Sequence, residues 1–304
     1  MGQHDPYAGA LNSVIWENNP SWSLHYEILY YLLFIPLSFF NIKPVLAAVC
    51  ALAVGVVNNL LFPEHTLLSS YSFGLTLWLA GLALARHTTD LSRTKTKYHM
   101  LVGFIFIFIS LRNFNILDTL LLKTTRLIAG TRLEYGAVRG YDAMVNFSDF
   151  SYLPYFILFL LIFTDKDFPY KNKITAFLLL LPALTFVYLL KNIDSINQNE
   201  YIFSSLAYLI GMALIYVSPA IVEKASARLI ELLIKVGALS YGLYIIHLPI
   251  IVMLHKVEYF SGSLWTFSVR FAACITLALA AAFVLEKKIQ PKLVSLFNRT
   301  SNYN

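Results

Sequence analysis

Long apolar stretches, separated by short polar ones, run through almost the whole chain. A helix needs about 20 mostly apolar residues to cross a bilayer, within a range of roughly 17–25. By that ruler the pattern predicts about nine spanning helices, near 23–40, 44–62, 68–86, 99–121, 150–164, 174–190, 201–222, 239–257 and 264–285. The fifth run is short; it either begins earlier, near Met144, or lies at the interface. The runs lack period-two alternation and are too long for barrel strands, so the expected fold class is all-α, a polytopic transmembrane helical bundle. Pro36, Pro154, Pro182 and Pro249 fall inside or at the ends of runs, where neighbouring helices can satisfy the carbonyls that proline frees. No repeat, linker or low-complexity tract divides the chain, which predicts one integral-membrane domain over residues 1–304.

Composition supports the membrane assignment. The chain is 58% hydrophobic and only 13% charged, about half the charge of an ordinary soluble domain. A net charge of +6 invites a nucleic-acid partner, but the Lys and Arg residues cluster between apolar runs, where membrane orientation accounts for them. Cys50 and Cys274 both sit inside apolar runs, which excludes a disulfide framework or a paired-cysteine metal site. No metal and no bound cofactor are expected.

The loops set the expected orientation. With the amino end outside, the inner loops hold Lys43; Arg86, Arg93, Lys95 and Lys97; Lys166, Lys171 and Lys173; Lys224, Arg228 and Lys235; and the cationic carboxyl tail. The outer segments hold only Lys123, Arg126, Arg132, Arg139, Lys191 and Lys256, as the positive-inside rule requires. The carboxyl tail is then cytoplasmic, and a multi-pass inner (plasma) membrane location follows. The loop from Leu122 to Asp149 is long for a helix connection. It fits either an acceptor-binding loop or a short helix at the headgroups.

Ionisable groups in hydrocarbon are costly, so those inside apolar runs are candidate site residues. His25 and Glu27 stand at the head of the first run, and Ser23, Glu27 and Tyr30 or Tyr31 share a helical face. That face lines a polar cavity, with Ile28, Leu29 and Leu32 toward lipid, or it is an interface anchor whose carboxylate reaches water. Arg112 lies in the outer half of the fourth run, where Asn115 can share its face and Asp118 or Glu27 can neutralise it. Ser240, Tyr244 and His247 fall at i, i+4 and i+7 on one face, and a histidine there can exchange a proton near neutral pH. Arg270 is close enough to its helix end to snorkel outward.

Three of these stretches resemble one family. Trp22-Ser23-Leu24-His25-Tyr26-Glu27, followed by Tyr30-Tyr31 and Pro36, resembles the WSLxxE…Y…P helix of the acyltransferase 3 family of integral-membrane O-acyltransferases. Ser240 to Pro249 is similar to that family's SYxxYLxHxP helix, and Glu286-Lys287-Lys288 with Pro291 to its closing xEkP segment, although the proline is displaced. The resemblance implies transfer of an acetyl- or succinyl-like group from acyl-CoA, a co-substrate, to hydroxyls of a cell-envelope glycan, exopolysaccharide or lipid-linked sugar. It also implies Glu27 in a buried polar site, Trp22 and Ser23 at its mouth, and Tyr244 and His247 on the facing wall. The family's usual amino-terminal arginine and histidine helices have no counterpart in Met1–Pro20, which is the expectation for an amino-truncated member.

Catalysis of that kind needs a base on the acceptor hydroxyl and polarisation of the thioester carbonyl. His247 or His25 is the candidate base, and Arg112 a candidate anchor for an anionic group. A transporter or flippase for a lipid-linked sugar or small solute is the rival expectation, and a non-catalytic remnant a third. Membrane lipids are expected partners and nucleic acid is not.

Overall fold

A computed structural model describes residues 22–62, 66–89, 91–93, 95–129, 145–191, 198–216, 219–257, 262–292 and 294–295. Among these residues the chain is all-helical, with an isolated antiparallel bridge between Arg93 and Lys166 as its β pairing. In order come α1 (Trp22–Phe39), α2 (Pro44–Leu61), α3 (Thr66–His87), α4 (Tyr98–Asn113) and α5 (Ile116–Ala129). A 3₁₀ turn (Phe147–Tyr152) then leads into α6 (Leu153–Phe163), α7 (Lys171–Lys191), α8 (Gln198–Tyr216) and α9 (Ala220–Gly237). The described chain closes with α10 (Ser240–His255), α11 (Leu264–Val284) and a π-helical turn (Leu285–Ile289).

Three helical stretches, Pro44–Leu61, Leu67–His87 and Leu264–Lys292, are long and apolar enough to cross a membrane. The number rises to five if the bent pairs α4–α5 and α8–α9 each count as one span. Leu24–Phe39, Phe147–Phe163 and Ser240–His255 are apolar but shorter.

Three expectations need correction. The fourth run is not one helix: α4 stops at Asn113, Asn115 takes the left-handed conformation (φ 53°), and α5 leaves at 52° to α4. An asparagine tolerates that conformation better than most residues, which is why the break falls there. Arg112 and Asn115 therefore do not share a helical face. The supposed loop from Leu122 begins as helix, since α5 continues to Ala129; residues 130–144 lie outside the described residues. Lys224, Arg228 and Lys235 belong not to a loop but to α9, an amphipathic helix of the kind that lies along a membrane surface.

The described residues fall into two compact units, one formed by those within 28–230 and the other by residues 22–27 together with those within 231–295. In the first, α2 packs along α3 and α4 along α8. Small residues bring each pair close, as packing between membrane helices favours. At the α4–α8 crossing a Cβ on Gly103 would stand 2.9 Å from the Gly211 carbonyl oxygen, and one on Gly211 3.0 Å from that of Gly103. Buried hydroxyls and amides tie α2 to α3: Asn58 donates to Ser69 Oγ (2.7 Å), and Ser69 donates to the Gly55 carbonyl (3.2 Å). The core gathers around α4, where Phe104, Ile107 and Leu111 are fully buried and the Tyr155 hydroxyl donates to the Phe104 carbonyl. In the second unit α10 packs on α11 through Ile250, Leu254 and Ala278.

Candidate functional site

The second unit holds most of the residues expected to do chemistry. Its described part joins Trp22–Glu27 of α1 with the end of α9, α10, α11 and the π turn. Trp22–Glu27, Ser240–Pro249 and Glu286 therefore fall in one compact unit although they lie at opposite ends of the sequence, while Tyr30, Tyr31 and Pro36 of the first segment belong to the other unit.

The tie between two of these segments is explicit. The Gly242 N–H, in the first turn of α10 where no helical carbonyl precedes it, donates to Glu286 Oε1 at 2.7 Å. A Cβ on Gly242 would meet Glu286 Cγ at 3.1 Å and the Ala282 backbone at 3.2 Å, so any larger residue would have to push α11 or Glu286 back by a few tenths of an ångström. The π turn after α11 changes the helical phase just where Glu286 must reach α10.

Within α10, Ser240 is exposed while Tyr244 and His247 are half-buried. The rings of Tyr244 and His247 lie 6.1 Å apart between centroids. His247 Nδ1 is 2.8 Å from the Tyr244 carbonyl oxygen and 3.2 Å from that of Leu243. A carbonyl can only accept, so Nδ1 is the donor, and in the neutral form of the ring the lone pair then sits on Nε2. An imidazole held in that tautomer is equipped to take a proton from a hydroxyl.

In α1, Glu27 and His25 are half-buried, and Glu27 makes no hydrogen bond or ion pair to another described residue. No hydrogen bond joins Glu27 to His247 among the described residues. The side chains of Trp22 and Ser23 lie outside the described residues. Further along α1, Ile28, Leu29 and Leu32 are exposed as a lipid-facing stripe requires, and Tyr30, not Tyr31, turns inward. The Tyr30 hydroxyl donates to the Tyr71 carbonyl at 3.0 Å.

Arg112 belongs to a separate cluster in the first unit. Its partner is Asp118, at 3.0 Å, and its guanidinium lies 5.2 Å from the centre of the Tyr152 ring. Asp118 is the buried member, 12% exposed against 60% for Arg112, and it also accepts from the Ser151 and Tyr152 hydroxyls. The 3₁₀ turn that presents Ser151 and Tyr152 starts with a capping box in which the Asp149 side chain accepts from the Asn146 N–H at 2.8 Å. Arg112, Asp149 and Tyr152 form the polar rim of a cleft of about 520 Å³ whose other walls, Phe108, Phe156 and Leu160 among them, are apolar.

Sequence reasoning missed Ser151, Tyr152 and Asp149 around Arg112, and the docking of Glu286 on Gly242. The Asn146–Asp149 spacing was the one legible signal. No group of three or more His, Cys, Asp or Glu residues that could hold a metal ion occurs among the described residues. No protein-family model, no curated protein and no solved structure matches the chain.

Proposed function

We propose that this chain is a membrane O-acyltransferase, similar to the acyltransferase 3 family, that moves an acetyl- or succinyl-like group from acyl-CoA to a hydroxyl of a cell-envelope glycan or lipid-linked sugar. The observation that carries the reading is the gathering of Trp22–Glu27, Ser240–Pro249 and Glu286 into one compact unit. His247 is the proposed base: Nε2 takes the acceptor hydroxyl's proton as the oxygen attacks the thioester carbonyl. Collapse of the tetrahedral intermediate forms the ester and expels CoA thiolate, which the imidazolium then protonates. Glu27 is proposed to orient the acceptor or steady the imidazolium, with Trp22, Ser23, His25, Ser240 and Tyr244 around it. Arg112, with the cleft beside it, is proposed to bind an acceptor or donor group. A bundle of about nine spans in the inner membrane, amino end outside and carboxyl end cytoplasmic, completes the proposal.

The test is the full chain reconstituted in vesicles with radiolabelled acetyl- or succinyl-CoA and a cell-envelope glycan fraction. Label should reach the glycan, and His247→Ala and Glu27→Gln should each abolish transfer at unchanged expression. Wild-type rates in either variant would remove that residue from the site. If the wild-type chain transfers no label yet moves a lipid-linked sugar across the bilayer, the transporter reading prevails.

A further inference from the structure

At one end of the first unit the α1–α2 turn and the last turn of α3 border two adjoining open cavities, of about 250 and 440 Å³. The smaller is lined chiefly by apolar side chains, including Phe34, Leu37, Ile42, Leu79 and Leu82. The larger is lined by Lys43, Arg86 and His87. Asn41, Pro44 and Arg86 border both, so one molecule with an anionic head and an apolar tail can occupy them together. Among the described residues no carboxylate lines either cavity.

The local fold explains why the cations converge. Asn41 adopts the left-handed conformation (φ 52°), ends α1 and turns the chain into α2. Lys43 then occupies the N-cap of α2 ahead of Pro44, with no side chain capping the first-turn N–H groups. Those groups and the helix dipole add positive potential beside the lysine. The side chains of Lys43, Arg86 and His87 are exposed, and none makes a hydrogen bond or ion pair with another described residue. Lys43, Arg86 and the protonatable His87 thus border one cavity with no carboxylate across from them, a setting that favours an anion.

The neighbouring helices identify the source of that anion. Both α2 and α3 contain stretches apolar and long enough to cross a membrane, so their shared end lies at the depth of lipid headgroups. Basic pockets between spanning helices at that depth suit anionic lipids. We propose that the paired cavities bind one anionic phospholipid, with its phosphate between Lys43 and Arg86, His87 beside it, and the upper part of an acyl chain in the Phe34–Leu82 slot. This site is independent of the acyltransferase reading.

The experiment uses the full chain in phosphatidylcholine nanodiscs, titrated with phosphatidylglycerol and followed by native mass spectrometry and thermal midpoint. Wild type should retain phosphatidylglycerol over phosphatidylcholine and gain thermal stability from it. The Lys43→Gln/Arg86→Gln double variant should lose that preference by about tenfold or more. Its midpoint in pure phosphatidylcholine should match wild type, which shows that it folds, and Lys191→Gln should behave as wild type throughout. Equal retention of both lipids by wild type, or an undiminished preference in the double variant, overturns the proposal. If inorganic phosphate or CoA displaces the lipid at comparable concentration, the site belongs to a soluble phosphate and the lipid assignment falls.

Discussion

Asp118 shows how one carboxylate can organise a cluster in which a more conspicuous arginine only takes part. Its oxygens accept from Ser151, Tyr152 and Arg112, and it is the buried partner of the pair. Asp118→Ala orphans those donors in a largely buried place and should cost about 1–3 kcal/mol. Arg112→Ala leaves Asp118 with two hydroxyl donors and removes a largely exposed charge, so it should cost less than about 1 kcal/mol. Denaturant titration of the purified protein in detergent should reproduce that order; equal losses would mean that the ion pair, and not the hydroxyl donors, holds the cluster, and a larger loss for Arg112→Ala would reverse the roles. The sequence offers Asp118 and Glu27 as equal partners for Arg112, because spacing in one helix cannot see across a bundle. The hydroxyl donors come from 33 and 34 residues further on, beyond the reach of any local pattern.

At the scale of elements, hydrophobic length locates most helices, and what it misses are breaks and surface helices. An apolar run does not announce that Asn115 turns left-handed, and a charged stretch such as Glu223 to Lys235 looks like a loop until its period is weighed. What docks α9, an amphipathic helix of the surface-lying kind, is its first turn. Glu223 accepts from the backbone N–H groups of Tyr98 and His99 at 3.1 and 3.0 Å and contacts His99 Nδ1 at 2.6 Å. Those two N–H groups open α4 and have no intrahelical acceptor, so the carboxylate serves as a cap supplied by another helix. Loss of water works against ionisation, but the His99 and Tyr98 donors and the His99 ring outweigh it and hold the carboxyl below its ordinary value of 4.5. A carboxyl depressed in the folded state stabilises above its unfolded pKa and stops doing so as pH falls through the folded one. Between about pH 5 and about pH 3 the wild-type protein should therefore lose thermal stability more steeply than Glu223→Gln. Parallel profiles would show that the contact carries no pH-linked stability.

For the molecule as a whole, the loops at 88–97 and 164–170 interlock. The Thr96 N–H donates to Asp165 Oδ1 at 2.7 Å, the Thr96 hydroxyl to the Ile162 carbonyl at 3.0 Å, and the Asp167 N–H to the Ser92 carbonyl at 2.9 Å. Segments bonded in this way must lie on one side of a bilayer, and the Glu223 contact brings the start of α9 to the same end of the unit. The proposed topology, which follows the positive-inside rule, would put Arg93, Lys95, Lys97, Lys166, Lys173 and Lys224 on the inner side. The hydrogen bonds show that these segments lie together, and which side of the bilayer they face is the part of the proposed topology left to experiment. With Cys50 and Cys274 replaced by alanine, Lys95→Cys and Lys173→Cys should react with a membrane-impermeant thiol reagent in inside-out vesicles and not in intact cells. Ser148→Cys, at the other end of the Phe147–Phe163 helix, should react in intact cells. Labelling of Lys95→Cys and Lys173→Cys from opposite sides would contradict the interlocked loops themselves. Labelling of both from outside would leave the loops intact and invert the topology, because the hydrogen bonds fix sidedness only relative to each other while the cations fix it relative to the cytoplasm.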